Sequence, residues 1–426
     1  MKIEFLENGV YNKIKEDEIN HFIMENKEMI QNVMHGTIGI RESLGWLHVE
    51  ENTSDEVITD ILEIADEIRQ NANAFVIVGV GGSNRAAQSV IEGLGLNKFD
   101  STIKIYYAGN NLSGDELQTL FKELDNKQVY INVIAKDFNT LEPGIAFRMF
   151  REYFKTRKVL DAKNRIIITG SYGKGQLYDL AVKEGYRFLP FPKRVGGRFS
   201  AFTSVGLLPM AVAGVDIRKF TEAAVKCEIS NHEVSLQDNI AVRYAVIRYL
   251  LSKKGYIVEN LAFFEPLLRF YGGWWLQLHA ESEGKCRQAI LPILTSFSED
   301  LHAIGQYLQQ GPHFIFETFL NVMNRNNLFI SKSEIEDRFW YLDNKDYDKL
   351  NHAVYSATKK AHTEDGIPVL EFRADWADEE VFAELMYVNM ICTYLTSVFL
   401  GVEPFNQEGV ENYKKNLYKE LGKFGS

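Results

Sequence analysis

Cysteine is scarce in this sequence of 426 residues, and its three copies form no recognisable pattern. Cys227, Cys286 and Cys392 lie far apart, outside any CxxC or Cys/His motif. This spacing argues against a disulfide framework and a structural zinc site, and it fits a reducing compartment. Although Cys286 follows an acidic stretch, we interpret it as an inert thiol and not as a nucleophile.

Long hydrophobic runs and blocks of like charge are missing too. No apolar run reaches the roughly 18–20 residues that cross a bilayer, and the first residues lack the apolar centre of a signal peptide. The net charge is −11, from 47 basic and 58 acidic residues, without long blocks of one sign. We therefore expect a cytoplasmic protein without membrane or nucleic-acid partners, in which a local basic site can still bind a small anion.

Hydrophobic periodicity predicts two successive series of strands separated by helical stretches. The composition, 46% hydrophobic and 25% charged, is that of an ordinary globular protein. Continuous apolar runs, typical of strands buried in a parallel sheet, predict the first series at 74–80, 103–109, 129–135 and 165–170. Similar runs predict the second series at 256–264, 288–297 and 312–320.

These two series predict an α/β fold of two doubly wound parallel-sheet domains with a C-terminal helical extension. The expected boundaries are an N-terminal helical segment at 1–50, a first domain at 51–200, a second domain at 201–400 and the extension at 401–426. In such a pair, ligands commonly bind at the carboxyl ends of the strands, between the domains.

Two glycine turns are candidate anion sites. Residues 78–85, VGVGGSNR, join a strand to a helix, where backbone N–H groups and the positive helix end can converge on an anion. Their spacing matches neither the dinucleotide nor the nucleoside-triphosphate motif. In the second turn, GGRFS, Arg198 can meet developing negative charge. A tight structural turn and a surface arginine explain the two segments at least as well.

Acidic and basic side chains supply candidates for proton transfer. Glu281 and Glu283 end an apolar helix, a setting that can adapt one carboxylate to general-base chemistry, although a solvated acidic helix end is the simpler interpretation. His302 follows two acidic residues and is a candidate acid or base, whereas we expect His279 to be a packing residue. Lys414 by itself fits a solvated basic face. No metal-ligand motif is visible.

Seven segments, taken in order, resemble the glucose-6-phosphate isomerase family in its shorter bacterial form. They are GVGGS, AGNNLSGDEL, VGGRFSAFTSVGLLPMAVAGVD, QLHAESEGK, FSEDLHAIGQYLQQG, AHTEDGIP and GVENYKKNLY. The resemblance runs from residue 36 to the C-terminus. It implies two sugar-isomerase domains, a helical extension, a homodimer, a sugar-phosphate substrate, and no metal or organic cofactor.

The resemblance also implies roles for the matching residues. Glu281 matches the base that moves a proton between C2 and C1 of the open-chain sugar, and Arg198 matches the group that stabilises the cis-enediolate. His302 and Lys414 match the pair that opens the ring, with the histidine donated across the dimer interface. Glu142 matches the carboxylate that orients this histidine. Further matches to substrate contacts are Gly82, Ser83, Gly197, Gln277 and Gln407.

The turn VIAKDFNTLEP departs from the family, which usually reads SKSGTTTEP and uses the hydroxyls to hold the sugar phosphate. Lys136 and Thr140 persist, whereas the replacing residues are Ala135, Asp137, Phe138 and Asn139. Loss of two or three hydroxyl donors would weaken phosphate binding by roughly 3–9 kcal/mol. We expect Arg85, just after the first glycine turn, to compensate, and Lys193 and Arg194, just before the second glycine turn, are further basic candidates.

Three functions follow from this resemblance and its one departure. The first is interconversion of glucose 6-phosphate and fructose 6-phosphate. The second is the same mechanism on another sugar or sugar phosphate. The third is a sugar-phosphate-binding protein without catalysis, against which the complete proton-transfer set argues, because a sensor has no need of it.

Overall fold

The computed structural model describes residues 1–98, 101–136, 139–322 and 328–423, and these contain two five-stranded sheets. The strands are β1 (Glu4–Gly9), β2 (Ala74–Val78), β3 (Lys104–Ala108), β4 (Val129–Ala135), β5 (Ile166–Gly170), β6 (Arg187–Pro190), β7 (Val258–Phe263), β8 (Leu291–Ser296), β9 (Ile315–Val322) and β10 (Val369–Ala374).

Fifteen α-helices lie within the same described residues. They are α1 (Glu16–Glu25), α2 (Lys27–Met34), α3 (Asp55–Asn71), α4 (Arg85–Gly93), α5 (Gly114–Glu123), α6 (Leu141–Thr156), α7 (Gln176–Glu184), α8 (Ser204–Ala213), α9 (Ile217–Glu233), α10 (Ile240–Lys253), α11 (Arg269–Glu283), α12 (Ile304–Gln310), α13 (Tyr347–Glu364), α14 (Glu379–Phe399) and α15 (Glu411–Glu420).

The first sheet is entirely parallel, in the order β3-β2-β4-β5-β6. Strand β2 reads AFVIV and is buried throughout, because its alternate side chains enter two different cores. The chain moves from β2 to one side and then returns to the other, so a crevice opens at the carboxyl ends of β2 and β4. The first glycine turn follows β2, and the turn predicted to bind phosphate follows β4.

The second sheet repeats this plan, in the order β1-β10-β9-β7-β8. Strands β7 to β10 are parallel, and β7 lies between β8 and β9 as β2 lies between its neighbours. The predicted α/β fold class with parallel sheets is therefore confirmed. The N-terminal segment, predicted to be helical, also contributes β1, which pairs antiparallel with β10 at the edge of this second sheet.

A central core joins the two sheets. It contains Phe75 and Ile77 of β2, Leu261 and Phe263 of β7, and side chains of the helices between them. Helices α4 and α11, which follow the equivalent strands β2 and β7, pack directly on each other. This packing brings the first glycine turn and the acidic end of α11 to the same place.

Helix α14 is the longest helix of this core. It has 21 residues, and an 18-residue window within it has a mean hydropathy of 1.3, so by length and composition alone it could cross a membrane, although sequence inspection found no such run. In the fold, 94% of that apolar window is buried, in packing against α9, α10 and α11. Its apolar character is that of a core helix.

A buried ion cluster attaches the end of α11 to α10. Arg248 on α10 donates from Nε to Glu259 (2.7 Å) and from both Nη atoms to Glu283 (2.7 and 3.0 Å). All three side chains are fully buried. Burial alone disfavours the charge on Arg248, but the two carboxylates outweigh it and raise its pKa well above the usual value. One cation thus compensates two buried anions.

Replacing Arg248 by Met should lower the free energy of unfolding by about 3–5 kcal/mol, because two carboxylates would remain buried without a cation. Urea denaturation at an unchanged m-value measures this. The matched control is Arg218→Met, which breaks an exposed pair with Asp55 and should change stability by about 1 kcal/mol or less. Equal losses in the two variants would contradict the role of the cluster.

Candidate active site

The two glycine turns touch each other through their backbones. A Cβ atom placed on Gly82 would lie 2.1 Å from the carbonyl carbon of Gly197, so residue 82 has no room for a side chain. The hydroxyl of Ser200 donates to the carbonyl oxygen of Gly197 (2.7 Å) and approaches that of Gly82 (3.3 Å). Gly82 and Gly197, both predicted to contact substrate, are therefore in direct backbone contact.

Arg198 follows this contact and is buried, with 2% of its surface exposed. Its guanidinium donates from Nη1 to Glu281 Oε1 (2.9 Å), from Nε to Ser282 Oγ (2.8 Å), and from Nη2 to the carbonyl oxygen of Pro404. Burial lowers the pKa of Arg198, whereas the carboxylates of Glu281 and Glu403 act to raise it. Because arginine titrates far above neutrality, the group stays charged.

Glu281 lies near the end of α11, with 26% of its side chain exposed. Its second oxygen accepts a hydrogen bond from Gln277 Nε2 (2.9 Å), one helical turn earlier. Gly81, at φ +58°, leaves room for this amide, because a Cβ atom there would lie 2.9 Å from Nε2. Both carboxylate oxygens of Glu281 are thus held while the group still reaches solvent.

An open cavity of about 580 Å³ lies beside this carboxylate, within the usual size range of small-molecule sites. Its lining residues come from the first glycine turn, α4, the end of β3 and α11: Val80, Gly81, Asn84, Arg85, Gln88, Asn110, Leu276, Gln277, Ala280 and Glu281. Arg85 donates from Nη1 to the carbonyl oxygen of Gly273 on α11 (2.7 Å). One cation, Arg85, and one carboxylate, Glu281, therefore both line this cavity.

The structure separates the two carboxylates, Glu281 and Glu283, that their position at a helix end could not rank. Glu283 is fully buried and bound to Arg248, and its carboxylate also contacts His279 Nδ1 (2.9 Å). Burial alone would raise the pKa of Glu283, but Arg248 and His279 outweigh it and lower that pKa. Only Glu281 of the pair lines the cavity. His279 is fully buried, as predicted for a packing residue.

The predicted ring-opening residues lie outside this cavity. His302 is exposed at the end of a 3₁₀ turn after β8. Lys414 on α15 is 46% exposed and pairs with Glu411 (2.7 Å). Gln407 is exposed just before the 3₁₀ turn that leads into α15. Glu142, on the first turn of α6, lines a neighbouring cavity of about 420 Å³, which shares Asn110 with the first.

The phosphate turn after β4 is described in part. Asp137 and Phe138 lie outside the described residues. The ammonium of Lys136 donates to the carbonyl oxygens of Lys193 and Val195, both at 2.9 Å, in the turn before Arg198. Thr140 is exposed at the start of α6 and makes no side-chain cap there. Ser83 is half-buried in the first glycine turn, next to the cavity.

Sequence reasoning missed several polar residues of this region. Asn84, Gln88 and Asn110 line the cavity. Lys285 donates from its ammonium to the carbonyl oxygen of Glu403, beside the Arg198 contact. Lys285 lies in the motif QLHAESEGK and Asn110 in AGNNLSGDEL. Their membership of these motifs was the sequence signal that could have identified them. Among the described residues, no cluster of three or more His, Cys, Asp or Glu side chains is arranged to hold a metal ion.

Comparison with known proteins gives a consistent assignment. The family model of phosphoglucose isomerase matches residues 65–338. Glucose-6-phosphate isomerase of Staphylococcus saprophyticus subsp. saprophyticus is 38% identical over 424 residues, which cover 97% of this chain and 96% of that protein.

Two solved structures share the fold at lower identity. A hypothetical protein from Thermus thermophilus superposes with a TM-score of 0.88 at 23% identity, over 98% of this chain and 99% of that chain. A glucose-6-phosphate isomerase from Chlamydia trachomatis superposes with a TM-score of 0.80 at 16% identity, over 99% of this chain and 88% of that chain. The sequence match over nearly the whole length decides the assignment, and this chain belongs to the phosphoglucose isomerase family.

Proposed function

We propose that this chain interconverts glucose 6-phosphate and fructose 6-phosphate through a cis-enediolate. The observation that carries the proposal is the pairing of Glu281, on the cavity wall, with the buried guanidinium of Arg198 at 2.9 Å. The name shared by the relatives, glucose-6-phosphate isomerase, supports this substrate over another sugar. A base and a fixed cation at one cavity are what an aldose–ketose isomerisation requires.

The pairing explains how charge moves during the reaction. When Glu281 takes the proton from C2, the carboxylate loses its charge and the substrate oxygen gains one. Both anionic groups would lie beside Arg198, so its positive charge stays compensated at each stage while its orientation is unchanged. A cation already fixed by Ser282 and Pro404 needs no reorganisation, which is the main source of electrostatic catalysis. Within the enediolate the hydroxyl proton moves from O2 to O1. Glu281 then returns its proton to C1, which completes the ketose, and Gln277 keeps the carboxyl in place.

We assign ring opening to His302 and Lys414, with His302 acting in the cavity of the partner subunit of a homodimer. Its exposed position, outside the cavity of its own chain, is what such an exchange requires. Glu142, on the wall of the neighbouring cavity, would orient the incoming imidazole. Gln407, just ahead of α15, would contact the sugar. We also propose that the protein functions in the cytoplasm. Its domains would lie at 51–200 and 201–400, followed by the extension at 401–426.

We further propose that Arg85 contacts the sugar phosphate. Its guanidinium lines the cavity, and the bond to Gly273 uses one of its five N–H donors. The remaining donors can bind a phosphate through two parallel bonds. Ser83, Thr140 and the backbone of the two glycine turns would complete the phosphate site. Lys136 would join it only by leaving the carbonyl oxygens that now hold its ammonium.

A coupled assay on glucose 6-phosphate, beside mannose 6-phosphate and unphosphorylated glucose, tests the proposed reaction. We expect the highest kcat/KM with glucose 6-phosphate. Higher kcat/KM for a sugar without phosphate would show that the altered turn has changed the substrate. Binding of sugar phosphates without turnover would indicate the non-catalytic alternative.

Glu281→Gln should keep the fold and lower kcat by about 10²–10⁴-fold, because the amide cannot accept the C2 proton. Steady-state kinetics measures the loss, and the thermal midpoint checks the fold. Glu283→Gln is the matched control on the same helix turn. It should reduce stability more than Glu281→Gln does, since it removes the buried partner of Arg248. Near-normal turnover in Glu281→Gln would remove this residue from the mechanism.

Mixing the inactive homodimers Glu281→Gln and His302→Ala should restore part of the activity. Subunit exchange would produce heterodimers in which one cavity has both intact residues. The control mixture combines Glu281→Gln with the double variant Glu281→Gln/His302→Ala and should recover nothing. If exchange is demonstrated by labelled subunits and the first mixture stays inactive, then each chain builds its own site.

Arg85→Ala should raise KM for glucose 6-phosphate by about tenfold or more with a smaller effect on kcat, as expected when uniform binding is lost. Arg187→Ala, which breaks an exposed pair with Glu67, is the control and should change neither constant. Unchanged KM in Arg85→Ala would show that the phosphate is bound elsewhere.

A further inference from the structure

Two cations of the active site hold consecutive carbonyl groups of the segment that leads to the C-terminal helix. We define the C-terminal strap as residues 402–406, between α14 and α15. Arg198 donates to the carbonyl oxygen of Pro404, and Lys285 donates to that of Glu403. Lys285 follows α11 by two residues, so both donors come from the region around Glu281. The strap is therefore attached directly to the groups that form the cavity.

The strap has a second, apolar attachment. The ring of Phe405 lies 5.5 Å from that of Phe199 and 5.3 Å from that of Tyr394, measured between centroids. The carboxylate of Glu403 also accepts a hydrogen bond from the backbone N–H of Phe405 (2.8 Å), which stiffens the segment. Aromatic packing fixes one side of the strap, and the two cations fix the other.

Helix α15 depends on these attachments, because it has no buried residues. Its half-buried residues are Leu417 and Tyr418, and the hydroxyl of Tyr418 donates to the carbonyl oxygen of Asn139 in the turn after β4 (2.9 Å). An exposed helix of ten residues is marginal without tertiary contacts. The attachment of the strap that precedes it therefore contributes to its position.

We propose that Lys285 is a positioning residue that clamps the C-terminal strap to the active site. Through the strap it sets the position of Gln407 and of α15 with Lys414. This inference rests on the proposed function for those two residues. Lys285 does not touch the substrate in this account. It acts through the carbonyl group of Glu403, next to the Pro404 carbonyl group that Arg198 holds.

The surroundings of Lys285 determine its protonation and thus the strength of its hydrogen bond to Glu403. Burial, and next the positive charge of Arg198, lower its pKa to about 8, while Glu403, Glu281 and Cys286 act to raise it. At pH 7 the side chain of Lys285 is therefore mostly protonated, and its hydrogen bond to the carbonyl group is of the stronger, charge-assisted kind. Tests of the clamp belong at this pH.

The test compares Lys285→Met with Lys285→Arg in the full-length protein at pH 7. One readout is the rate at which trypsin cleaves α15 at Lys414, Lys415 and Lys419, followed by mass spectrometry. We call this tail cleavage, the tail being α15. The other is steady-state isomerase kinetics. In Lys285→Met, loss of a charge-assisted bond should speed tail cleavage by about tenfold and lower kcat by a similar factor. Lys285→Arg should recover most of both, because it restores a charged donor. Lys254→Met, at an exposed pair with Glu18, should change neither.

Phe405→Ala supplies an independent variant that leaves every charge of the active site in place. It loosens the strap from the aromatic side, so it should also speed tail cleavage and lower kcat. If Lys285→Met lowers kcat while the tail stays as protected as in wild type, Lys285 acts on the substrate directly and the proposal is overturned. It is equally overturned if Phe405→Ala frees the tail without affecting kcat. The cleavage readout needs no substrate, so it distinguishes failure of the clamp from failure of the proposed reaction.

Discussion

The arrangement of this protein depends on one buried guanidinium. Arg198 is a buried charge, and hydrogen bonds to Glu281, Ser282 and Pro404 offset the cost of burying it. Those three acceptors come from the end of α11 and from the strap, while Arg198 itself follows the glycine contact. One charge thus joins three segments that are distant in sequence. The position of the Glu281 carboxylate is a consequence of satisfying that charge.

A second buried arginine supports the first. Along the end of α11, Glu281 faces Arg198 and the cavity, Ser282 accepts from Arg198, and Glu283 faces Arg248. The last turn of the helix is therefore held from two sides by two cations. Rotation of this turn would break both sets of hydrogen bonds, so the carboxylate of Glu281 has little freedom to move. A fixed base beside a fixed cation is favourable for proton transfer, because neither group must be reorganised during the reaction.

Much of the fold could be predicted from sequence because its central strands are short, continuous apolar runs. The predicted strand at 129–135 coincides with β4, and the other six predicted strands overlap observed ones within a few residues. Three strands were missed for physical reasons. Strand β1 pairs with a segment near the other end of the chain, a partner that no local pattern reveals. Strand β10 carries the buried Glu371, which pairs with Lys359, and the partly exposed Arg373, so its pattern is not a continuous apolar run. Strand β6 has only four residues.

The site could be predicted in part. The glycine turns, Arg198, Gln277 and Glu281 were found through motifs, and the structure places them in contact or on one cavity wall. Spacing could not choose between Glu281 and Glu283, because residues two apart on a helix point in different directions and the buried direction is set by Arg248 on α10. Lys285 was missed since its proposed role lies in a contact with Glu403, 118 residues later. The roles proposed for His302 and Lys414 involve positions outside the cavity of the single chain.

The most direct test of a carboxylate base at C2 is hydrogen exchange during turnover. Glucose 6-phosphate is incubated with the wild-type protein in D₂O for many turnovers and then analysed by proton NMR. The account predicts deuterium at C2 of glucose 6-phosphate and at C1 of fructose 6-phosphate, because the proton held by Glu281 exchanges with solvent through the open cavity. Full interconversion with complete retention of hydrogen at both carbons would indicate a hydride shift and would contradict the account.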